Sequence, residues 1–153
     1  MSPEAIPDLI FRWIHVGTAI VLVGGTIFMR FVLMPAADKL PGEAHDTLRD
    51  ALTKRWKWFV HLGVALLLIS GLYNYIKVGA PGHRGDKLYN ALLGVKMLLA
   101  LILFVLAEAM VGRSETFAKL RQNRKKWLAI MILLALIIVA ISGYAKIALP
   151  PTK

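Results

Sequence analysis

The chain has 153 residues, 58% of them apolar, with a mean hydropathy of +0.62 and a formal net charge of +10. That apolar content lies above the level of an ordinary soluble domain, and the absence of cysteine excludes disulfides, thiolate metal sites and thiol redox chemistry. The basic excess does not point to nucleic acid, because it is concentrated in two connections between apolar stretches.

Four stretches approach the roughly 20 residues that cross a hydrocarbon core as a helix. They are residues 13–29, 58–76, 88–107 and 128–145, and only the third contains a charged residue, Lys96. A soluble helix bundle would carry charged stripes every third or fourth residue. Pro7-Asp8 opens the first helix, and Pro35 is expected to follow its end. Pro41-Gly42 breaks the next connection, after which Leu48, Ala51, Leu52 and Arg55 recur at helical spacing, so the second helix is predicted to begin well before its apolar stretch. The segment from Gly79 to Gly85 is predicted as a short turn, and Pro150-Pro151 ends the last helix.

Of the nineteen basic residues, six lie between the first and second stretches and six between the third and fourth (Arg113, Lys119, Arg121, Arg124, Lys125 and Lys126). Lys96 and six others account for the rest. The positive-inside rule therefore predicts both basic connections in the cytoplasm and both termini on the outer, periplasmic side. Anionic lipid headgroups are the expected partners of those connections. The aromatic residues agree, with Trp56, Trp58 and Trp127 at one end of the stretches and Trp13, Tyr73, Tyr75, Tyr89 and Tyr144 at the other, as interfacial belts require. The N-terminus, with Glu4 and Asp8 and no basic run, does not resemble a cleaved signal peptide. The expectation is a single all-α domain over 1–153, a polytopic four-helix bundle of the inner (plasma) membrane. Its spans are predicted at approximately residues 9–34, 56–77, 87–111 and 126–148. A weak repeat pairs Ile69-Ser70-Gly71 with Ile141-Ser142-Gly143, small residues that suit close helix packing.

Ionisable groups at membrane depth cost roughly 2.5–3.5 kcal/mol on insertion scales, so each is a functional candidate. Four stand out: His15, His61, Lys96 and Glu108. Helical rise puts His15 about 9 Å to the outer side of the membrane centre and His61 about 9 Å to the inner side. Lys96 falls in the outer half, nearer the centre, and Glu108 in the inner half. Two clusters are predicted: His15 with Lys96 and Arg12, and His61 with Glu108. A neutral imidazole ligates iron or copper well, and Thr18, Ala19 and Gly25 on the His15 face are small enough for a porphyrin face. Arg12, one turn outward, suits a propionate. A hydrogen-bonded His61–Glu108 pair would orient the imidazole for a second metal or haem. His45 and His83 are expected in solvated loops, with His83 and Asp86 a weaker place for an external metal.

The first stretch, with Ile14-His15-Val16, Gly24-Gly25, Phe28 and Pro35, the second with Ser70-Gly71-Leu72, and the third with Leu88-Tyr89-Asn90-Ala91-Leu92-Leu93-Gly94-Val95-Lys96 resemble the CopD-like superfamily of small membrane proteins. That group includes the copper resistance protein D domain and is similar to the HemJ-type protoporphyrinogen oxidases. In the HemJ type the resemblance implies a first-span histidine and a third-span lysine, matched by His15 and Lys96, a b-type haem, and oxidation of a porphyrinogen. In the copper resistance group it implies copper movement across the inner membrane.

The expected function is thus an intramembrane redox step of the oxidoreductase kind on haem b. His15 and His61 are the candidate metal ligands, Lys96 is the candidate catalytic group and also an iron ligand, proton carrier or cation for a substrate carboxylate, and Arg12 and Glu108 are further cofactor-binding residues, with a porphyrin or quinone as the small-molecule partner. Copper binding or transport is the alternative, and a non-catalytic subunit of a membrane complex a third. A homodimer is compatible with all three.

Overall fold

The computed structural model describes residues 5–83, 85–112 and 114–149. All regular structure among them is helical. Four long helices follow in order, α1 (Ala5–Ala37), α2 (Gly42–Gly82), α3 (Lys87–Val111) and α4 (Arg124–Ala148), and each is long and apolar enough to cross a membrane. A 3-10 turn at Glu115–Phe117 and a short helical segment at Ala118–Gln122 join α3 to α4.

Two of these helices run further than their prolines suggested. Pro35 lies inside α1 and Pro81 inside α2, where the sequence led to an expectation of an end and a turn. A proline cannot donate to the carbonyl four residues back, and its ring clashes with that carbonyl. In both helices the backbone widens into a π-turn just before the proline, Met29–Leu33 in α1 and Tyr75–Gly79 in α2, and so continues to Ala37 and Gly82. The turn between α2 and α3 is correspondingly brief. Gly85 takes a positive φ of 84°, and Asp86 caps α3 by accepting the backbone N–H of Tyr89 at 3.0 Å. The early start of α2, at Gly42, agrees with the periodicity of residues 48–55.

Successive helices are antiparallel. Packing is most extensive within the pairs α1–α2 and α3–α4, less so between α2 and α3, and least between α1 and α4. The α1–α2 seam has a seven-residue period. Asp8, His15, Leu22 and Met29 form one row on α1, with Phe11, Thr18 and Gly25 as the second. Trp56, Gly63 and Ser70 form the matching row on α2, with Phe59, Leu66 and Tyr73 beside it. Large meets small along this seam: a Cβ on Gly25 would collide with the Trp56 indole, and one on Gly63 with Leu22. Close approach of this kind supplies van der Waals contact where no hydrophobic effect drives helices together.

The interior is unevenly filled. Met110, Leu128 and Met131 form a buried cluster with Met34, Leu106 and Trp127 around it, all towards the end where the basic connections lie. At this basic end Arg30 donates to the Lys125 carbonyl (2.9 Å), and Lys125 pairs with Asp38 (2.6 Å), tying the end of α1 to the start of α4. Arg121 donates to the carbonyls of Ala109 and Ser114, closing the C-terminal end of α3. Towards the other end, which carries the chain termini, the buried positions among the described residues are only Ser70, Gly79 and His83. Large apolar side chains face outwards all round, Trp13 at 66%, Trp58 at 75% and Ile147 at 84% exposure. Such a surface is unsuited to water, and the four helices fit a multi-pass membrane protein. Trp56 and Trp127, expected in the interfacial belt, turn inward instead, onto Gly25 and onto the Met110 cluster.

Candidate functional site

His15 sits on the α1–α2 seam because its seven-residue row faces α2. Its Nδ1 lies 2.9 Å from Ser70 Oγ. The Ser70 hydroxyl is itself only 2.5 Å from the Leu66 carbonyl, a separation that two oxygens adopt when a proton lies between them. Ser70 therefore donates to Leu66 and accepts from His15, which puts a proton on Nδ1, and the ring also hydrogen-bonds the Leu67 carbonyl. Ser70 is 1% exposed, so this hydrogen bond is closed to solvent. Gly71 completes the setting: a Cβ there would stand 3.2 Å from His15 Cε1, so a side chain would press on the ring.

One turn nearer the termini, Phe11 stacks on Tyr73 with centroids 3.9 Å apart, and the Tyr73 hydroxyl donates to Asp8 at 3.0 Å. These contacts roof the His15 site on the α1–α2 side. Lys96 approaches from α3, close enough for its charge to act on the His15 ring. It is half-buried and has no hydrogen-bond or ion-pair partner among the described residues. The registers of α2 on α3, taken from the His61–Glu108 and His83–Tyr89 contacts, put Lys96 opposite residue 74, one turn nearer the termini than the His15–Ser70 pair. Counting residues from the span midpoints had put it deeper than His15. Because α1 and α3 do not pack extensively on each other, the two groups approach across the loosely filled half of the interior.

The other predicted members fall differently. Arg12 is exposed and makes no hydrogen bond or ion pair among the described residues, so it is not joined to His15 or Lys96. Of the small residues proposed as a porphyrin slot, Gly25 is filled by Trp56, while Thr18 lines a groove of about 240 Å³ with Gly17, Leu62 and Gly63, away from the His15 ring. The second cluster does come together: His61 Nδ1 is 2.5 Å from Glu108 Oε2, with both side chains partly exposed. A cavity of about 370 Å³ opens beside Glu108, lined by Phe104, Val105 and Phe117 among others. Ser70 and His61 are nine residues apart on α2, roughly 14 Å of helical rise, so the two clusters are separate places.

His83 departs most from expectation. It is 8% exposed and stacked on Tyr89, with centroids 3.5 Å apart. Its Nδ1 faces the Gly79 carbonyl at 3.2 Å and its Nε2 the Leu149 carbonyl at 3.0 Å. Both nitrogens are thus engaged, and neither is open to a metal. His45 lies in the first turns of α2 rather than in a loop, half-buried beside Asp46. No group of three or more His, Asp or Glu side chains converges among the described residues. The repeat Ser142 only donates to its own helix at Ile138, without the histidine partner that Ser70 has.

No family model, curated protein or solved structure matches this chain. The site therefore has to be interpreted from its own chemistry. Sequence reasoning named His15, His61, Lys96 and Glu108 but not Ser70 and Gly71 as the setting of His15. The signal for them was the shared seven-residue period of rows 8, 15, 22 and 56, 63, 70, which marks His15 and Ser70 as seam positions without setting which meets which.

Proposed function

We propose that this chain is a polytopic protein of the inner membrane that holds a b-type haem through His15 and performs an electron-transfer or oxidation step within the bilayer, in the manner of the CopD-like and HemJ-type proteins it resembles. On this reading both termini lie on the outer side, since the basic end carries the two connections rich in Lys and Arg. The same connections would rest on anionic headgroups.

The observation that carries the proposal is the His15–Ser70 hydrogen bond, which holds the imidazole in place in the loosely packed half of the helix assembly with Lys96 nearby. A hydrogen-bonded imidazole is the usual form of a metal-ligating histidine, its second nitrogen fixing ring orientation and tautomer. A single oriented imidazole is the kind of donor haem iron takes, and a porphyrin would have to enter beside His15 by a route other than the Gly25 position that Trp56 fills. A bare copper ion is less well served, because the chain has no cysteine, no third convergent donor among the described residues, and an already engaged His83.

The haem, when bound, supplies one-electron chemistry at its iron. His15 would hold the iron while Ser70 keeps its ring from rotating. Lys96 would provide a positive charge for a propionate or a substrate carboxylate, and its ammonium could pass a proton to an acceptor in the interior. Arg12, exposed at the headgroup level, is available to a propionate at the rim. The Phe11–Tyr73 stack would limit water entry from the termini end. Purified protein expressed with ample haem should show a Soret band that is lost in His15→Ala and retained in His61→Ala. A colourless native protein, or an unchanged band in His15→Ala, refutes the assignment.

A further inference from the structure

We propose that His83 is a proton-operated clamp that closes the termini end of the helix assembly. Both of its ring nitrogens face carbonyl oxygens, Gly79 O at 3.2 Å and Leu149 O at 3.0 Å. A carbonyl can only accept, so each bond needs an N–H on the ring, and only the imidazolium has two. The protonated ring therefore ties the end of α2 to the residue that follows α4, across 66 positions of sequence. The neutral ring can keep one of these bonds and must turn a lone pair towards the other carbonyl.

The surroundings suit a clamp. His83 is buried, and the parallel Tyr89 ring presents an aromatic face to the cation. The nearest acid in sequence, Asp86, uses its carboxylate to cap α3 at Tyr89, and its backbone N–H donates to the His83 carbonyl. Lys77 on α2, Lys87 on α3 and Lys146 on α4 are exposed, as is Tyr144. Of the two bonds, the one to Gly79 lies within a single helical turn and is held by local geometry. The one to Leu149 joins the residue after α4, 66 positions away and outside any helical turn shared with His83, and it is the one released. Raising the pH thus frees the end of α4 from the α2–α3 turn, and lowering it locks them together. If the termini face outward, as proposed above, the clamp responds to external pH.

The cysteine-free chain allows a direct test. Spin labels at Lys87→Cys and Lys146→Cys, in lipid nanodiscs, report the separation of α3 from the end of α4. Measurements at about pH 5.5 and about pH 8 bracket the range in which imidazoles change charge. A single narrow distance at the lower pH, with loss of that population at the higher, is the expected result. His83→Phe keeps the aromatic stack and removes both donors, so it should give the released distribution at both pH values. Nitrogen-15 spectra of labelled histidine in the unsubstituted ring supply a readout that does not depend on the variant folding, with both His83 nitrogens protonated whenever the narrow distance is present. Identical distributions at the two pH values overturn the proposal. So does a pH response that survives in His83→Phe, or a neutral ring in the closed state.

Discussion

Replacing Ser70 with alanine isolates the contact on which the site is built. The substitution removes the acceptor of His15 Nδ1–H while leaving the Leu66 carbonyl its place in the helix ladder. The cost is therefore at most that of one part-buried donor left unpaired, because the ring also bonds the Leu67 carbonyl. In soluble proteins such a group costs about 1–3 kcal/mol, whereas interhelical hydrogen bonds in membranes average about 0.6 and reach about 1–2 kcal/mol. For this site the expected loss is about 1 kcal/mol, roughly a fivefold fall in the folded-to-unfolded ratio. Ser142→Ala is the matched control. Its hydroxyl bonds only its own helix, and the change should stay within about 0.5 kcal/mol. Unfolding titrations in mixed detergent would compare the two, and nitrogen-15 spectra would show the His15 proton redistributing between its nitrogens in Ser70→Ala alone. Equal stabilities for the two variants, with an unchanged tautomer in Ser70→Ala, would refute the hydrogen-bond argument.

Gly25→Ala drives a methyl group into the Trp56 indole and should cost about 1–3 kcal/mol by overpacking, whereas Gly143→Ala, with open space around it, should be neutral by the same unfolding assay. A double-mutant cycle with His61→Ala and Glu108→Ala should yield a coupling of about 0.6 kcal/mol, the membrane average for such pairs, because both groups are partly exposed. A coupling near zero would mean that the short contact contributes nothing. The hydrogen bond from Lys125 holds the Asp38 carboxyl below its ordinary value. Its contribution is thus complete above about pH 4, where the unfolded carboxyl is ionised, and is lost as the pH falls through the lower folded-state value. A carbon-13 titration of Asp38 should show that lowering, and Lys125→Ala should remove most of it, leaving the smaller effect of His45.

Much of the architecture was legible because the bilayer writes it in simple terms. Twenty-residue apolar runs and clustered lysines and arginines need no tertiary information, and they located the four helices. The ends were harder. Pro35 and Pro81 carry a local stop signal, yet both helices continue through a single widened turn before each proline. His83 was equally opaque. A histidine among Gly, Pro and Arg has the composition of a solvated loop, and only the meeting of Tyr89 from α3 with the end of α4 buries it. The His61–Glu108 pair was legible because antiparallel depth alone aligns those residues. The depth of Lys96 was not, because the level of α3 against α2 follows from contacts at its two ends rather than from the centre of its apolar run. Trp56 misled for a related reason: composition marks it as interfacial, and the glycine opposite draws it inward.

The two π-turns have a consequence for how this chain tolerates change in length. Each accommodates one residue more than an α-turn would need over the same rise, so it behaves like a single-residue insertion already absorbed. Removing one residue from 29–33 or from 75–79 would let the widened turn close into an ordinary α-turn, with the segments on either side keeping their facing. What is lost is the wider turn ahead of Pro35 and of Pro81, so the cost falls on the fit of each proline ring. Single-residue deletions should therefore be survivable at these two points and damaging at most others along the same helices.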